Sequence, residues 1–360
     1  MGKYYLIRDM SKTDSFIWLI LVFLVSTLSW KFIETPFRVN PFWTQRRVFV
    51  FGLSIMTATF FTGVLIFLNH GFPQRFPQSF ADTDNTDPER AHWSSCQTKH
   101  KKEPPSEVSL CTIGDSEGLP EFLFWGDSHA RAAAPAINQS ALKYGVTGYF
   151  SSMPGCPPLL GIDKKDQYLG GCSGYNDMVI QYITDHPEIK TVILSARWNM
   201  SADGRRFKNE EGATKYQVDV WENTLGSSAD LFELGLTRTV EKLSQLGRKV
   251  VIVTGIPEIG YDVPSALAIA SRTGRDLNAI IAPTMAEYQD RNKISLSIIN
   301  KLSSEYSIPL IQPQQALCNE KICMVEQDGK PLYRDDDHLT TYGAHFMDQL
   351  FEPLFESFKN

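Results

Sequence analysis

The sequence predicts an α/β fold of three layers, in which helices cover both faces of a mostly parallel sheet, preceded by two transmembrane helices. Short apolar segments typical of buried strands occur at 122–125, 146–150, 191–195, 249–254 and 309–311. Helical patterns separate them at 130–144, 175–185, 230–246 and 286–306, and a last helix is expected at 342–358. Because alternating strands and helices are joined by right-handed crossovers, this order indicates a doubly wound sheet.

Two apolar runs near the N-terminus predict the transmembrane helices. The first run, 16–28, needs its flanking residues Trp30 and Phe32 to reach the length of a membrane span. The second run, 48–68, is long enough without flanking residues. A bilayer core needs about twenty helical residues. A cleavable signal peptide is the alternative for the first run, but no small-residue cleavage site follows it and a second apolar run argues against simple secretion.

The loop between the two runs is basic. It holds one acid, Glu34, and four basic residues, Lys31, Arg38, Arg46 and Arg47. The positive-inside rule therefore places this loop in the cytoplasm. Everything after the second run is then expected on the opposite side, which is the periplasm for a bacterial inner membrane. Residues 70–118 are polar and contain prolines, as expected of a periplasmic linker or extension.

Charge and cysteine content restrict the partners and the compartment. The chain of 360 residues has a net charge of -6 and no basic footprint, so we expect no nucleic-acid partner. The six cysteines fall into three local pairs without the C-x2-C spacing of a zinc site. We favour disulfides over reduced buried thiols, and disulfides indicate a compartment outside the cytosol. The favoured pairs are Cys96–Cys111, Cys156–Cys172 and Cys318–Cys323.

The segment Gly126-Asp127-Ser128 is the first candidate for chemistry. An apolar strand pattern ends at Gly126 and a helical pattern begins at Ala130, so Ser128 is expected on a strand-to-helix turn. A hydroxyl there faces the crevice at the carboxyl ends of parallel strands, and the helix dipole points at any oxyanion formed beside it. The alternative is a helix cap made by Asp127 or Ser128.

A second segment near the C-terminus supplies partners for a nucleophile. A serine hydroxyl needs a base within hydrogen-bond reach, and that base needs a group that holds its tautomer. His338 fits the base, and Asp335, three residues earlier, fits the orienting acid. A solvated loop or weak cation site is the alternative for the acidic run 335–337. We predict no metal site, because consecutive residues rarely point at one ion.

The two segments together resemble the SGNH (GDSL-like) hydrolase superfamily. The resemblance is carried by Gly126-Asp127-Ser128-His129-Ala130 and by the spacing Asp335-x-x-His338-Leu339-Thr340. More narrowly, the sequence is similar to SGNH domains fused to acyltransferase-3 membrane proteins. Trp125, the block 195–198 and the segment from Cys318 to Asp335 support this narrower likeness, which covers the chain from residue 122 to its C-terminus.

The N-terminal part is similar to the end of the acyltransferase-3 membrane domain, in particular at residues 28–38. The resemblance implies a remnant of that domain at 1–47, with its last helix at about 15–33 and a cytoplasmic loop at 34–47. It further implies an additional transmembrane helix at 48–69, the linker at 70–118 and the SGNH domain at 119–360. The earlier helices of the family are missing, so we expect a truncated product or a fragment.

The resemblance to the superfamily implies that three hydrogen-bond donors stabilise the oxyanion. They are the serine N–H, a glycine N–H and an asparagine side chain. Gly155 is the expected glycine. The usual G-x-N-D block is missing, and the segment 195–199 stands in its place after a strand. Asn199 or Arg197 is expected to supply the third donor, unless the site has only two. Packing and capping are the alternative roles for Trp198 and Asn199.

The resemblance implies an inner-membrane O-acetyltransferase with a periplasmic SGNH domain that acts on a cell-envelope glycan such as lipopolysaccharide O-antigen. Ser128 is expected to carry the acetyl group, with His338 as base and Asp335 as orienting acid. No bound cofactor is expected in this domain. The missing membrane helices are possible partners of the chain, and they are expected to use acetyl-CoA as the acetyl donor. The alternatives are a periplasmic glycan acetylesterase and a catalytically silent glycan-binding domain.

Overall fold

The computed structural model describes residues 6–7, 10–69, 71–72, 87–98, 107–164, 171–208, 221–222 and 227–359. The chain divides into two compact units, Met1–Ala81 and Asp82–Asn360. Residues 70, 73–86 and 99–106 of the expected linker lie outside the described residues.

The N-terminal unit contains two apolar helices. Helix α1 (Lys12–Ser29) continues through a π-helical turn, Trp30–Glu34, into α2 (Thr35–Val39), and α3 spans Gln45–Leu68. The π turn comes directly before Pro36, whose ring clashes with the preceding helical turn and whose nitrogen cannot donate a hydrogen bond. Lys12–Val39 and Gln45–Leu68 are long and apolar enough to cross a membrane.

The second unit is built on a six-stranded sheet, which confirms the predicted three-layer α/β class. The strands in chain order are β1 (Cys111–Gly114), β2 (Phe122–Gly126), β3 (Thr147–Ser152), β4 (Asp163–Lys164), β5 (Thr191–Ser195), β6 (Trp221–Glu222), β7 (Lys249–Val253), β8 (Leu310–Ile311), β9 (Glu326–Gln327) and β10 (Lys330–Pro331). The sheet order is β1-β3-β2-β5-β7-β8, and all pairs are parallel except β1 with β3. The pairs β4–β6 and β9–β10 form separate two-stranded sheets.

The helices of this unit are α4 (Pro88–Ser95), α5 (Ser128–Tyr144), α6 (Gly171–Asp185), α7 (Trp198–Asp203), α8 (Ser228–Gln245), α9 (Val263–Thr273), α10 (Leu277–Ile281), α11 (Met285–Tyr306), α12 (Gln314–Leu317), α13 (Thr341–His345) and α14 (Asp348–Glu356). Alternate residues of β2 face opposite sides, as strand geometry requires. Leu123 and Trp125 pack in one buried cluster with residues of α6, α8 and α11. On the other side, Phe122 packs edge-to-face on Phe355 of α14.

The expected single helix at 342–358 is wrong, because the structure has two helices there. Gly343 holds α13 against β10, since a Cβ at this position would lie 2.1 Å from the carbonyl oxygen of Leu332. Met347, Phe351 and Phe355 are all buried at intervals of four residues. These three side chains therefore form the buried face of the segment that contains α14.

Three disulfides join the pairs favoured from the sequence. They are Cys96–Cys111, Cys156–Cys172 and Cys318–Cys323, and no described cysteine is free. The first attaches the segment after α4 to strand β1. The second attaches the loop after β3 to α6. One segment is thus covalently fixed to the sheet, and the loop at the carboxyl end of β3 is covalently fixed to α6.

Candidate active site

Ser128 lies at the first residue of α5, directly after the central strand β2. Gly126 makes the turn possible, because a Cβ there would lie 1.7 Å from the carbonyl oxygen of Ser195 on β5. Asp127 caps the helix by accepting from the backbone N–H of His129 at 2.8 Å. The helix begins at Ser128, two residues before the predicted start. The turn is therefore a helix cap that also presents the Ser128 hydroxyl, so the two interpretations of the motif are compatible.

Asp127 also fixes this turn to the neighbouring strand. Its second carboxylate oxygen, Oδ2, accepts from the backbone N–H of Arg197 at 3.0 Å, just beyond the end of β5. The side chain of Asp127 is buried, so both bonds are protected from water. The carboxyl ends of two adjacent parallel strands are joined through one carboxylate, and this contact fixes the backbone on either side of Ser128.

The structure brings Ser128, His338 and Asp335 together in a chain of hydrogen bonds. His338 Nε2 lies 2.8 Å from Ser128 Oγ, and His338 Nδ1 lies 2.9 Å from Asp335 Oδ2. The other oxygen of Asp335 accepts from the backbone N–H groups of Asp337 and His338 at 3.0 and 2.7 Å. These backbone bonds hold the loop so that its carboxylate folds back onto the imidazole. The arrangement is the one that a serine nucleophile with a histidine base requires.

A second carboxylate, which the sequence analysis did not single out, lies at the same imidazole nitrogen. Asp337 Oδ1 is 2.6 Å from His338 Nδ1, and Asp337 is buried. Asp335 and Asp337 lie in one bent loop, and both carboxylates contact the same ring nitrogen. The only sequence signal for Asp337 is its place in the acidic run 335–337, which does not tell one member from another.

The two carboxylates change the proton affinities of the triad. Burial alone lowers the pKa of His338, but the negative charge of Asp337 and the hydrogen bonds of both carboxylates outweigh burial and raise the pKa to about 9. Burial alone would raise the pKa of both carboxyl groups, but their contacts with His338 outweigh burial. The pKa of Asp335 is therefore lowered, and that of Asp337 is lowered strongly. The site thus stabilises an imidazolium, which is the charge that forms when the histidine accepts the serine proton.

Behind the triad lies a buried network of alternating charges. Arg197 Nη1 pairs with Asp337, and Arg197 Nε pairs with Glu258. Glu258 also pairs with Arg291 of α11, whose Nη1 lies 3.0 Å from Asp203. The positive charges of Arg197 and Arg291 overcome the effect of burial and lower the pKa of Glu258. Buried charges are tolerated when they are paired in this way.

The side chain of Arg197 therefore lies behind Asp337, and this position differs from the expected contact with an oxyanion. Asn199, the other candidate third donor, is buried on α7, and its Oδ1 accepts from Ser295 Oγ of α11 at 2.7 Å. Trp198 between them is buried and donates from Nε1 to the carbonyl oxygen of Val253 at 2.8 Å. These contacts fit the packing alternative for Trp198 and Asn199.

Gly155 lies in a tight turn at the carboxyl end of β3. The backbone N–H of Cys156 donates to Met153 O at 3.0 Å, and Pro154 and Gly155 occupy the middle positions. Gly155 has a φ of 66°, which a type II turn requires at its third residue and glycine adopts without strain. Met153 N donates to Gly126 O at 3.2 Å. The turn is therefore fixed beside the strand end that carries Ser128.

His129 is also part of the site. Its ring is buried and packs against the His338 ring with a centroid distance of 4.7 Å. Its Nε2 lies 3.5 Å from Asp337 Oδ2. His129 therefore lies beside the histidine base and one of the carboxylates that hold it. His129, Asp337 and His338 could offer ligand atoms within 4.8 Å of one another, but both ring nitrogens of His338 already contact Ser128 or the carboxylates.

Residues 95–353 match the protein family described as SGNH domain (fused to AT3 domains). A comparison with curated proteins gives no match.

Among solved structures, the chain is similar to the periplasmic domain of a lipopolysaccharide acetyltransferase from Salmonella ser. Paratyphi A. The two share 16% identity, with 78% of this chain and 100% of that chain covered and a TM-score of 0.50. A putative acylhydrolase from Bacteroides fragilis is 12% identical, with 77% and 98% covered and a TM-score of 0.38. The aryl esterase of M. smegmatis is 13% identical, with 67% and 99% covered and a TM-score of 0.39.

Proposed function

Because the chain belongs to the family of SGNH domains fused to AT3 domains, we propose that it is an O-acetyltransferase that moves an acetyl group onto a sugar hydroxyl of a cell-envelope glycan, such as lipopolysaccharide O-antigen. The single observation that carries this proposal is the 2.8 Å contact between His338 Nε2 and Ser128 Oγ. The fold shared with a lipopolysaccharide acetyltransferase domain supports the choice of acceptor.

In the first half-reaction, Ser128 Oγ attacks the carbonyl carbon of the acetyl donor. His338 Nε2 takes the hydroxyl proton, and the carboxylates of Asp335 and Asp337 stabilise the resulting imidazolium. The leaving group takes that proton from Nε2 as its bond to the acetyl carbon breaks. An acetyl ester on Ser128 and a neutral His338 remain.

The oxyanion of this step is proposed to lie against backbone donors. Ser128 is the first residue of α5, so its N–H has no helical carbonyl partner and carries part of the positive end of the helix dipole. We assign the second donor to the backbone N–H of Gly155. This proposal uses no side-chain donor: the Arg197 guanidinium pairs with Glu258 and Asp337, and Asn199 is buried against Ser295 of α11.

In the second half-reaction, a sugar hydroxyl attacks the acetyl-serine. His338 Nε2 takes the proton of the sugar and returns it to Ser128 Oγ as the ester bond breaks. Water in place of the sugar gives hydrolysis by the same steps, so a periplasmic glycan acetylesterase is the second candidate. The chemistry of the triad is common to both, and the choice depends on the acceptor that reaches the acetyl-serine.

We further propose that the chain is anchored in the bacterial inner membrane by Lys12–Val39 and Gln45–Leu68, with the SGNH domain in the periplasm. The three disulfides support an oxidising compartment. The acetyl group is proposed to come from acetyl-CoA through acyltransferase-3 helices, which would be a membrane partner of this chain.

The function can be tested with the full chain in detergent, with p-nitrophenyl acetate as donor and purified lipopolysaccharide as acceptor. We expect a mass increase of one acetyl group on the peptide that contains Ser128, followed by acetylation of the glycan. Ser128→Ala abolishes both, whereas Ser244→Ala, a control on the exposed face of α8, leaves both intact. Hydrolysis that the glycan does not affect would favour the esterase, and no serine adduct at all would favour a silent glycan-binding domain.

A further inference from the structure

A shallow, open pocket beside the triad is lined by three arginines. Arg90 comes from α4, Arg131 from α5 and Arg334 from the loop that leads to Asp335. Trp93, Pro135 and Leu339 supply apolar lining. We call these six residues the arginine pocket. It is formed by three segments far apart in the sequence. Helix α4, which supplies Arg90 and Trp93, belongs to the region expected to be a linker or extension.

The arginine pocket directly adjoins the reacting groups. Arg131 lies three residues after Ser128 on α5, about one helical turn away and on the same helix face. Arg334 Nε lies 3.9 Å from Asp335 Oδ2, the oxygen that contacts His338 Nδ1. A group bound between the two guanidiniums would therefore be held about one helical turn from Ser128 and beside the carboxylate that contacts His338.

The segments that carry the arginines are held in place. Trp93 is buried and packs edge-to-face on Phe150 of β3, with ring centroids 5.7 Å apart. The Cys96–Cys111 disulfide ties the end of α4 to β1. Arg131 Nη1 donates to Gln97 Oε1 at 2.6 Å. The pocket thus has its charges positioned before any ligand arrives, which lowers the entropic cost of binding.

The described contacts of Arg131 and Arg334 leave positive charge in the pocket. Arg131 donates to a neutral amide, and the nearest carboxylate paired with Arg334 among the described residues is Asp335, which is shared with His338. Burial, followed by the charges of Arg334 and Arg90, lowers the pKa of Arg131 to about 10. An anion between the guanidiniums would relieve this repulsion.

We propose that the arginine pocket binds an oxyanion, the carboxylate or phosphate of an acidic sugar, and thereby seats the acceptor glycan beside Ser128. Guanidinium groups bind both kinds of oxyanion through paired N–H donors. This inference rests on the proposed function and names the charge class of its acceptor. A neutral sugar would offer the guanidiniums no charge-assisted hydrogen bond.

The test measures binding without turnover, using the full chain in detergent and ligand-observed NMR competition. Galacturonic acid, galactose 6-phosphate and galactose are the probes, because they differ in charge and share a ring. We expect at least one anionic sugar to bind about tenfold or more tightly than galactose, as charge-assisted hydrogen bonds predict. A preference for galacturonic acid assigns a carboxylate ligand, and a preference for galactose 6-phosphate assigns a phosphate.

Variants locate the site. Arg131→Gln and Arg334→Gln should each reduce the preference for the anionic sugar about tenfold, while Arg334→Lys keeps part of it because the charge remains. Arg238→Gln removes the same charge from an exposed position on α8 and should not change the preference. Equal binding of all three sugars by the unmodified chain would overturn the proposal, as would an anion preference that survives both glutamine variants.

The two proposals can fail separately. If acetyl-serine forms and the glycan is acetylated but the three sugars bind equally, the anion site is wrong and the transferase stands. If the anionic sugar binds through Arg131 and Arg334 but Ser128 never becomes acetylated, the transferase is wrong and the anion site stands as a glycan-binding site.

Discussion

Asp337 Oδ1 lies 2.6 Å from His338 Nδ1, closer than the 2.9 Å that separates the same nitrogen from Asp335 Oδ2. The imidazole is thus held by two carboxylates. Asp335 is fixed by backbone N–H groups of its own loop, and Asp337 is fixed by Arg197 of the buried charge network. The two side chains thus have different supports, and one of the N–H groups that hold Asp335 belongs to Asp337 itself.

This relationship predicts that neither carboxylate is indispensable alone. Loss of the single orienting acid of a serine triad costs about 10⁴ in rate, whereas Asp335→Asn or Asp337→Asn should each cost about 10–100-fold because the other carboxylate remains. The double variant should approach the full loss. Steady-state hydrolysis of p-nitrophenyl acetate by the two single variants and the double variant checks this. If Asp335→Asn alone produces the full loss, Asp337 does not share the role.

The raised pKa of His338 predicts the pH dependence of the reaction. The base must be neutral to accept the serine proton, and a histidine is neutral above its pKa. Because the pKa is raised to about 9, the rate of Ser128 acetylation should increase with pH up to that region. A pH profile of kcat/KM for the acetyl donor measures the free enzyme. A plateau that begins near the ordinary value of 6.5 would contradict the assignment.

The same pKa shifts predict how stability depends on pH. The folded state favours protonated His338, so its contribution to stability is complete below the ordinary pKa of 6.5 and is lost as the pH rises through about 9. The folded state favours ionised Asp335 and Asp337, so their contributions are present above their ordinary pKa and are lost as the pH falls. Thermal unfolding of the full chain in detergent should therefore show reduced stability toward both extremes.

The close packing of Gly126 against Ser195 predicts that adding one methyl group at residue 126 strongly destabilises the fold. In Gly126→Ala the new Cβ would lie 1.7 Å from Ser195 O and 2.5 Å from the Ala130 Cβ, so β2 and β5 must separate or α5 must shift. We expect a loss of about 3–5 kcal/mol in the free energy of unfolding, in the range of severe core changes. The matched control is Gly174→Ala in α6, where the Cβ meets nothing within 4 Å. It should stabilise the protein by about 0.5–1 kcal/mol. A small effect of Gly126→Ala would contradict the tight packing.

The charge network predicts a strong effect at Glu258. Glu258→Gln leaves Arg197 and Arg291 buried without the carboxylate that pairs them. Removal of one partner of a buried ion pair costs about 3–5 kcal/mol, and thermal unfolding should show a loss of this size. Glu241→Gln, at an exposed position on α8, serves as the control and should change stability by less than about 0.5 kcal/mol. Equal stability of the two variants would show that the network does not hold the site.

Much of the sheet could be predicted because its strands are apolar on both faces. The strand at 191–195 has the bounds predicted from the sequence, and β2 extends the predicted strand by one residue. Strand β1 was not predicted. It has only four residues, only one of them is buried, and an edge strand of this kind carries neither a continuous apolar run nor clear alternation.

The contacts between distant elements were harder to predict. The spacing of Asp335 and His338 suggested a local pair, and the structure has that contact. The pairing of Glu258 with Arg197 and Arg291 joins residues from three separate elements, and no local pattern indicates it. The same holds for Arg90 and Arg334, which lie far apart in the sequence and converge on one pocket only after α4 packs beside β3.

The most direct test of the central claim is intact-peptide mass spectrometry of the full chain after brief exposure to p-nitrophenyl acetate. Our account predicts an acetyl ester on Ser128 in the quenched sample that an untreated sample lacks. The ester should disappear when lipopolysaccharide is added, and it should be absent from Ser128→Ala and His338→Ala. Acetylation at another residue, or an unchanged Ser128 peptide in the unmodified chain, would contradict it.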